Sequence, residues 1–285
     1  MRTVIYLSIG LLFVLLLLGF GCADRFASVA LFHPRKYTQD LSGGTFREVY
    51  FPNSKKQKLH GVYFPYQAVN PHDTPVGTIL YAHGNGENVS QILGWAEQMR
   101  SDFRCNVLLF DYAGYGKSDG KPTAPGVLDD GLAALTYLRQ TEAIPTDQII
   151  VYGFSLGGSV AVDLASKHKV QALIVESSFT SLGEMGRKML PFLPAEYLLR
   201  EQLASIKKIG DVRCPVFISH GRADQVIPFS QGERLFEAAN DPKTLFVVPE
   251  GWDYHSAPHS EEHREALRQF LSSLWDADSV SKNEK

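Results

Sequence analysis

The strongest constraint on the fold of this chain is a regular alternation of short apolar runs with longer amphipathic stretches. Six runs are almost continuously apolar, and they cover residues 78–82, 107–110, 149–152, 172–175, 216–219 and 244–248. Strands that are covered on both faces have this pattern, because neither face meets water. Helical patterns lie near residues 89–101, 126–140, 156–168, 229–239 and 260–275. The alternation predicts an α/β fold in which a mostly parallel sheet carries helices on both faces.

Two earlier runs, at residues 46–51 and 59–64, complete the predicted sheet. A polar segment at residues 52–56 separates them, and this pattern predicts an antiparallel pair. The sheet is therefore expected to have eight strands. In such sheets ligands bind beyond the carboxyl ends of the strands, so the residues that follow each strand are the candidates for chemistry.

The composition of the 285-residue chain excludes several classes of protein. Hydrophobic residues make up 44% and charged residues 21%, as in an ordinary folded protein and unlike a disordered or disulfide-stapled one. The formal net charge is −3, and no basic run contains interleaved aromatic residues, so a nucleic-acid partner is not expected. Cys105 and Cys214 have no cysteine or histidine at metal-ligand spacing and are expected to be packing residues.

The N-terminus departs from this composition. Residues 4–21 carry no charge, and this run approaches the roughly 20 apolar residues that span a bilayer. It ends at Gly21-Cys22, a pair that resembles the cleavage box of bacterial lipoproteins, in which the cysteine is lipidated, although Gly19 stands where that pattern has leucine. A lipoprotein leader, an uncleaved single-pass anchor and a cleaved secretory peptide remain open. All three deliver the domain to a membrane or through one, and a lipoprotein would be extracytoplasmic.

The most informative motif follows the predicted strand at residues 149–152. Its sequence is GFSLG, with Ser155 at the centre, and it leads directly into a helical pattern rich in small residues. A strand, a sharp turn and a helix around such a serine form a nucleophile elbow, in which the glycines let strand and helix approach closely. The alternative is a serine that only caps a helix. The context predicts Ser155 as a nucleophile.

A serine hydroxyl needs a histidine to take its proton and a carboxylate to orient that histidine. After a nucleophile elbow, the acid comes next along the chain and the histidine last. Asp224 follows the seventh predicted strand, and His255 follows the eighth. The sequence therefore predicts a triad of Ser155, Asp224 and His255.

Other residues compete for these roles or surround them. His259 is the alternative base, and Asp253 is the alternative acid, although it lies only two residues from His255 in one loop. His220 precedes the acid loop and is expected to brace it. His263 falls in the last helical pattern, where a solvated face is expected.

Acyl transfer also needs hydrogen-bond donors aimed at the developing oxyanion. One is predicted to be the backbone N–H of Leu156, and the other that of Asn85 in the loop after the third predicted strand. That loop, residues 83–86, has the sequence HGNG. A phosphate-binding loop is the alternative, but the glycine spacing matches neither a dinucleotide fingerprint nor a Walker motif. The chain is therefore expected to use no nucleotide, metal or other cofactor.

These motifs resemble the α/β-hydrolase family, and most closely its serine-aminopeptidase-like and single-pass membrane branches. The resemblance rests on the HGNG loop, the segment FDYAGYGKS at residues 110–118, the elbow around Ser155, the Asp224 loop and His255. It implies a structural role for the turn at residues 111–118, with Tyr115 as a candidate pocket residue. It also implies a cap inserted after the sixth strand.

The implied cap is short, at residues 180–211. Its apolar side chains include Met185, Met189 and Phe192, which are candidate pocket residues. A core-facing helix and a mobile cap over an acyl pocket both account for this pattern. The whole chain divides into an N-terminal leader or anchor, a linker, a hydrolase domain and a polar tail, at residues 1–22, 23–44, 45–275 and 276–285.

The sequence thus predicts a membrane-tethered serine hydrolase that cleaves carboxylic esters or thioesters through an acyl-enzyme. The short apolar cap favours a small acyl or lipid-like substrate over a peptide, and a serine peptidase remains open. A non-catalytic binding protein is the alternative of a different class, and the complete triad argues against it. Dehalogenase or perhydrolase chemistry is a further alternative, but dehalogenases of this fold prefer an aspartate nucleophile.

Overall fold

A computed structural model describes residues 32–37, 41, 44–68, 70, 73–189, 203–248 and 260–283. Within them the chain forms one eight-stranded sheet. The strands are β1 (Arg47–Pro52), β2 (Lys58–Phe64), β3 (Thr78–Ala82), β4 (Asn106–Phe110), β5 (Ile149–Phe154), β6 (Ala172–Glu176), β7 (Val216–Gly221) and β8 (Lys243–Val248).

Helices connect most of these strands. In the described part of the chain they are α1 (Leu93–Phe103), α2 (Ala124–Gln140), α3 (Leu156–Lys167), α4 (Leu182–Met189), α5 (Phe229–Ala238) and α6 (Glu261–Asn283). Short 3-10 turns occupy Val89–Gln91, Thr146–Gln148, Ser205–Lys207 and Ile209–Asp211.

The sheet has the strand order β1-β2-β4-β3-β5-β6-β7-β8. The pairs β1–β2 and β2–β4 are antiparallel, and the other five neighbouring pairs are parallel. This confirms the prediction of a mostly parallel eight-stranded sheet that begins with an antiparallel pair. β5 lies inside the sheet between β3 and β6, so the loops after these strands meet at one edge.

Helices cover both faces of the sheet, which explains the apolar strand pattern. In β3, Leu80 belongs to the core under α2, α3 and α5, whereas its neighbours Ile79 and Tyr81 belong to the core under α1 and α6. Successive side chains of a strand point to opposite faces, so both faces must be apolar. Every residue of β3, β5, β6 and β7 is accordingly buried.

Most elements begin and end within a few residues of their predicted bounds, and three differences from the sequence prediction are larger. The last helix continues to Asn283, past residue 275, and so includes most of the predicted polar tail. α4 forms a helix at the start of the predicted cap, where the sequence left a core-facing helix and a mobile cap open. Phe32, in the predicted linker, is 4% exposed and packs into the main core. The packed domain therefore begins before residue 45.

The N-terminal predictions concern residues outside those the structure describes. Both the apolar run at residues 4–21 and Cys22 fall there. Among the described residues, no helix is long and apolar enough to cross a membrane.

The two remaining cysteines are free thiols in the packed domain. Cys105 is buried, and Cys214 is partly buried. Burial raises the pKa of both thiols, and that of Cys214 reaches about 12. Because the thiolate is the reactive form, neither side chain is an activated nucleophile.

Candidate active site

Ser155 occupies a strained turn between β5 and α3. Its backbone has φ 52° and ψ −113°, a conformation that a non-glycine residue rarely adopts. The turn is held from β6, because the Ser155 N–H donates to the carbonyl of Glu176 at 2.9 Å. On the other side, the Ser178 hydroxyl donates to the carbonyl of Ser155 at 2.8 Å. The serine is partly exposed at the carboxyl edge of the sheet, as a nucleophile must be.

The glycines of the elbow are required by close contacts between backbones. A Cβ on Gly157 would lie 1.8 Å from the carbonyl oxygen of Ala82 in β3, and one on Gly153 would lie 2.1 Å from the oxygen of Gly157. Backbone atoms in a packed sheet cannot retreat by the distance that such a contact demands. The two glycines thus let α3 begin directly against β3 and β5.

We expect the substitution Gly157→Ala to lower the free energy of unfolding by about 3 kcal/mol or more and to abolish activity, because the new methyl group collides with the β3 backbone. Gly94→Ala is the matched control, since Gly94 is exposed in the first turn of α1 and its Cβ would meet no atom within 4 Å. That substitution is expected to raise stability by up to about 1 kcal/mol. Urea denaturation of both variants measures the difference. Equal stability of Gly157→Ala and the wild type would contradict the structure of the elbow.

Asp224 lies in the loop after β7, two strands from the nucleophile. Its Oδ1 accepts hydrogen bonds from the backbone N–H groups of Val226 at 2.8 Å and Ile227 at 2.9 Å. Its Oδ2 lies 3.5 Å from Nε2 of His220, and the side chain is 2% exposed. Neighbouring strands are about 4.8 Å apart, so β5 and β7 place Ser155 and Asp224 roughly 10 Å from each other. An imidazole ring with its two hydrogen bonds spans such a gap.

Opposing effects set the charge state of Asp224. Burial raises its pKa, but hydrogen bonds from His220 and from the N–H groups of Ile227 and Val226 outweigh burial and hold the pKa below its usual 3.8. The carboxylate is therefore ionised at neutral pH, as an acid that orients a histidine must be.

His220 braces the acid loop, as expected from its position. Its Nε2 lies 2.9 Å from the carbonyl oxygen of Ile227, and the ring packs edge-on against Phe229 at the start of α5. It is fully buried. The ring also packs directly against α5, where a Cβ on Gly232 would lie only 2.4 Å from His220 Nδ1.

The predicted base, His255, lies outside the described residues, as do the alternatives His259 and Asp253. β8 is parallel to β7 and ends at Val248, at the edge that carries Ser155 and Asp224. The structure thus brings two of the three predicted triad residues to one edge.

His263 is not on a solvated face of the last helix, contrary to the sequence expectation. Its side chain is 1% exposed, and its Nε2 lies 2.6 Å from Oε1 of Glu176, whose side chain is 3% exposed. The ring also contacts Phe217 and Phe246. The helical pattern gave no sign of this pair, because the position of His263 in the pattern does not show that Glu176 lies opposite it at the end of β6.

The loop predicted to supply an oxyanion donor lies between β3 and α1, and Asn85 is held in it by side-chain contacts. The Tyr115 hydroxyl donates to the backbone oxygen of Asn85 at 3.1 Å and to its Oδ1 at 2.7 Å. Tyr115 is fully buried, and burial raises its pKa well above 10. Tyr115 therefore supports the loop from below instead of lining an open pocket. The second predicted donor, Leu156, is the first residue of α3, where backbone N–H groups are free of helical partners.

Of the three candidate pocket residues in the cap, the structure describes only the side chain of Met185. Met185 in α4 is 7% exposed and packs into the core, with the Gln231 amide 3.6 Å from its sulfur. Met189 ends α4, and its side chain and Phe192 are outside what the structure describes. The last part of the predicted cap belongs to the core, since Leu203 and Ile209 are buried there. For Met185 and residues 203–211, the core-facing alternative is correct.

A cavity of about 990 Å³ lies elsewhere on the molecule. Its lining includes Gln148, Gln171 and Lys243, which stand just before or at the start of β5, β6 and β8. The strands run from this edge toward Ser155, so the cavity opens at the opposite edge of the sheet. Chemistry at the carboxyl edge does not use it.

Known proteins share this architecture. A sequence model of the alpha/beta hydrolase fold matches residues 77–204. YfhR of Escherichia coli strain K12 is 30% identical over 275 residues, which cover 92% of this chain and 94% of YfhR. The chain belongs to the α/β-hydrolase family.

Two further known proteins are similar to this α/β hydrolase. Alpha/beta hydrolase domain-containing protein 17B of Homo sapiens is 35% identical over 195 residues, 68% of this chain and 66% of the human protein. The esterase Pf2001 of Pyrococcus furiosus has a TM-score of 0.68 at 20% identity, covering 85% of this chain and 97% of the esterase. The likeness to the esterase shows the fold.

Several contacts at the catalytic edge of this α/β hydrolase escaped the sequence motifs. Ser178 contacts Ser155 across 23 residues, Tyr115 contacts Asn85 across 30, and His33 contacts Asn85 across 52. Local spacing carries no signal for pairs so distant. The motif at residues 110–118 was the only hint, since the resemblance gave Tyr115 a place near the site.

Proposed function

We propose that this α/β hydrolase is a serine hydrolase that cleaves carboxylic esters or thioesters. The observation that carries the proposal is Ser155 itself, a partly exposed serine held at φ 52° in a strand-turn-helix elbow. Strain of this kind persists only where the surroundings impose it, and strained residues cluster at functional sites. The buried, ionised Asp224 at the same edge supports a triad with His255.

In the proposed reaction, Ser155 Oγ attacks the acyl carbonyl while His255 removes its proton. The carbonyl oxygen becomes an oxyanion and accepts hydrogen bonds from the N–H groups of Leu156 and Asn85. The tetrahedral intermediate collapses, the bond to the alcohol or thiol breaks, and His255 returns the proton to that leaving group. Water then attacks the acyl-enzyme by the same path and releases the carboxylic acid and Ser155.

The proposed substrate has an apolar acyl group. The apolar residues in the sequence of the short cap at residues 180–211 support this choice, and the sequence shows no dedicated acidic cluster that would bind the amino group of a peptide. The esterase Pf2001 has the same fold at low identity, which is compatible with ester cleavage. A panel of esters, thioesters and aminoacyl amides of graded chain length tests this part. Faster cleavage of aminoacyl amides than of esters would favour the peptidase alternative.

A fluorophosphonate probe tests the mechanism without knowledge of the substrate, because it reacts with an activated serine. We expect the full-length wild type in mild detergent to be labelled, Ser155→Ala to be unlabelled, and His255→Ala to be labelled far more slowly. His259→Ala is the matched control and is expected to label like the wild type. A folded wild type that never labels would exclude the serine-hydrolase mechanism and favour a non-catalytic binding protein.

We further propose that the apolar run at residues 4–21 attaches the enzyme to a membrane. Its length and lack of charge support attachment, and Gly21-Cys22 supports a lipoprotein form. Mass spectrometry of the N-terminus distinguishes a lipidated Cys22, an intact anchor and a cleaved peptide. Recovery of the whole chain in the soluble fraction with its N-terminus intact would contradict membrane attachment.

A further inference from the structure

We propose that His33 is a positioning residue for the oxyanion loop, and that the segment at residues 32–37 is part of the active site. The inference rests on the proposed function, since it concerns how Asn85 is presented to the reaction. His33 belongs to a stretch that the sequence motifs leave unassigned.

His33 and Asn85 are joined by two hydrogen bonds in opposite directions. The His33 backbone N–H donates to Asn85 Oδ1 at 3.2 Å, and the Asn85 Nδ2 group lies 3.1 Å from His33 Nδ1. A backbone N–H can only donate, so the amide oxygen must face it and the amide NH₂ must face the ring. The ring nitrogen Nδ1 is then the acceptor. This pairing fixes both ends of the Asn85 amide.

The segment that carries His33 is anchored on both sides of it. Before His33, Phe32 is 4% exposed and packs into the main core. After it, the carbonyl of Arg35 accepts hydrogen bonds from the Gly116 N–H at 2.9 Å and from the Asn88 amide at 3.2 Å. Lys36 forms a parallel bridge with Gly116. The segment that carries His33 is thus held by contacts with the loops that contain Asn88 and Gly116.

Tyr115 completes the clamp from the opposite side. Its hydroxyl donates to both the backbone oxygen and Oδ1 of Asn85. Asn85 is therefore held between the buried ring of Tyr115 and the segment at residues 32–37. The backbone N–H of Asn85 is the donor proposed for the oxyanion, and such a donor stabilises the transition state most when its position is fixed before the reaction.

The segment that holds Asn85 follows the apolar run closely in the sequence. Nine residues, 23–31, separate Cys22 from Phe32. A chain of about ten residues spans at most roughly 35 Å, which limits the distance between Cys22 and Phe32. If residues 4–21 attach the enzyme to a membrane, as proposed, the segment that holds Asn85 is tethered within about that distance.

The test uses the full-length enzyme and a short p-nitrophenyl ester. We expect His33→Ala to lower kcat about five- to tenfold while KM changes less than twofold, because the lost hydrogen bond between Asn85 Nδ2 and His33 Nδ1 positions the oxyanion donor and does not bind the acyl group. His33→Asn, whose Oδ1 replaces Nδ1 as acceptor, should recover most of kcat. His168→Ala, a histidine substitution at the opposite edge of the sheet, is the control and should match the wild type.

A second readout separates positioning from folding. A trifluoromethyl ketone forms a tetrahedral adduct on the serine, and we expect its inhibition constant to rise in His33→Ala by the same factor by which kcat/KM falls, while the urea midpoint stays unchanged. An unaltered kcat in His33→Ala would refute this inference alone. Loss of activity that follows loss of stability, without recovery in His33→Asn, would also refute it. An inactive wild type would refute the proposed function and this inference together.

Discussion

Replacing Ser155 with alanine is expected to lower kcat by about 10⁵-fold, the largest effect of any single substitution in this enzyme. The hydroxyl is the atom that attacks, and no other side chain at the elbow can replace it. The residual rate reflects the oxyanion donors and substrate binding, which persist without a nucleophile. Steady-state kinetics on the preferred ester measures the loss. A residual activity of a few per cent in a contamination-free preparation would contradict nucleophilic catalysis by Ser155.

Ser155→Gly provides a control on the strain at the same position. Alanine must keep the φ of 52°, whereas glycine adopts positive φ freely. We expect both variants to be inactive and the glycine variant to be more stable than the alanine variant by about 1 kcal/mol. Urea denaturation compares them. An equal stability of the two would show that the turn is relaxed.

Replacing Asp224 with asparagine is expected to lower kcat about 10³- to 10⁴-fold. The amide is close to the carboxylate in shape, but it cannot stabilise the imidazolium or hold His255 in the tautomer that accepts the serine proton. Asp253→Asn is the matched control and should leave kcat within twofold of the wild type. The reverse pattern, with Asp253 essential and Asp224 dispensable, would transfer the role of the acid to the His255 loop.

The pKa of Asp224 also gives this prediction a pH dependence. The pKa is lower in the folded protein than in the unfolded chain, so the ionised carboxylate stabilises the fold. That contribution is fully present above the unfolded pKa of about 3.9 and is lost as the pH falls through the folded pKa. Asp224→Asn should therefore be less stable than the wild type at pH 7, and the gap should narrow below pH 4. Urea midpoints across this range measure it.

The local sequence was sufficient for the scaffold of the site. Strands such as β3 and β5 must be apolar on both faces, and the GFSLG motif needs small residues where α3 starts against β3. These requirements act over a few neighbouring residues, so they leave a readable pattern. They placed Ser155 and Asp224 at the ends of the correct strands.

Only the tertiary structure decided which side chains support that scaffold. His33 forms hydrogen bonds with Asn85. Tyr115 is buried beneath Asn85 and does not line an open pocket. His263 is buried against Glu176 and is not on a solvated face. Each pairing joins residues far apart in the chain, and its energy depends on distances that no local spacing encodes. The sequence by itself therefore determined the fold and the strands after which Ser155 and Asp224 lie, because strand burial and turn sterics are local. The support of those groups was decided by the packing of distant segments at one edge of the sheet.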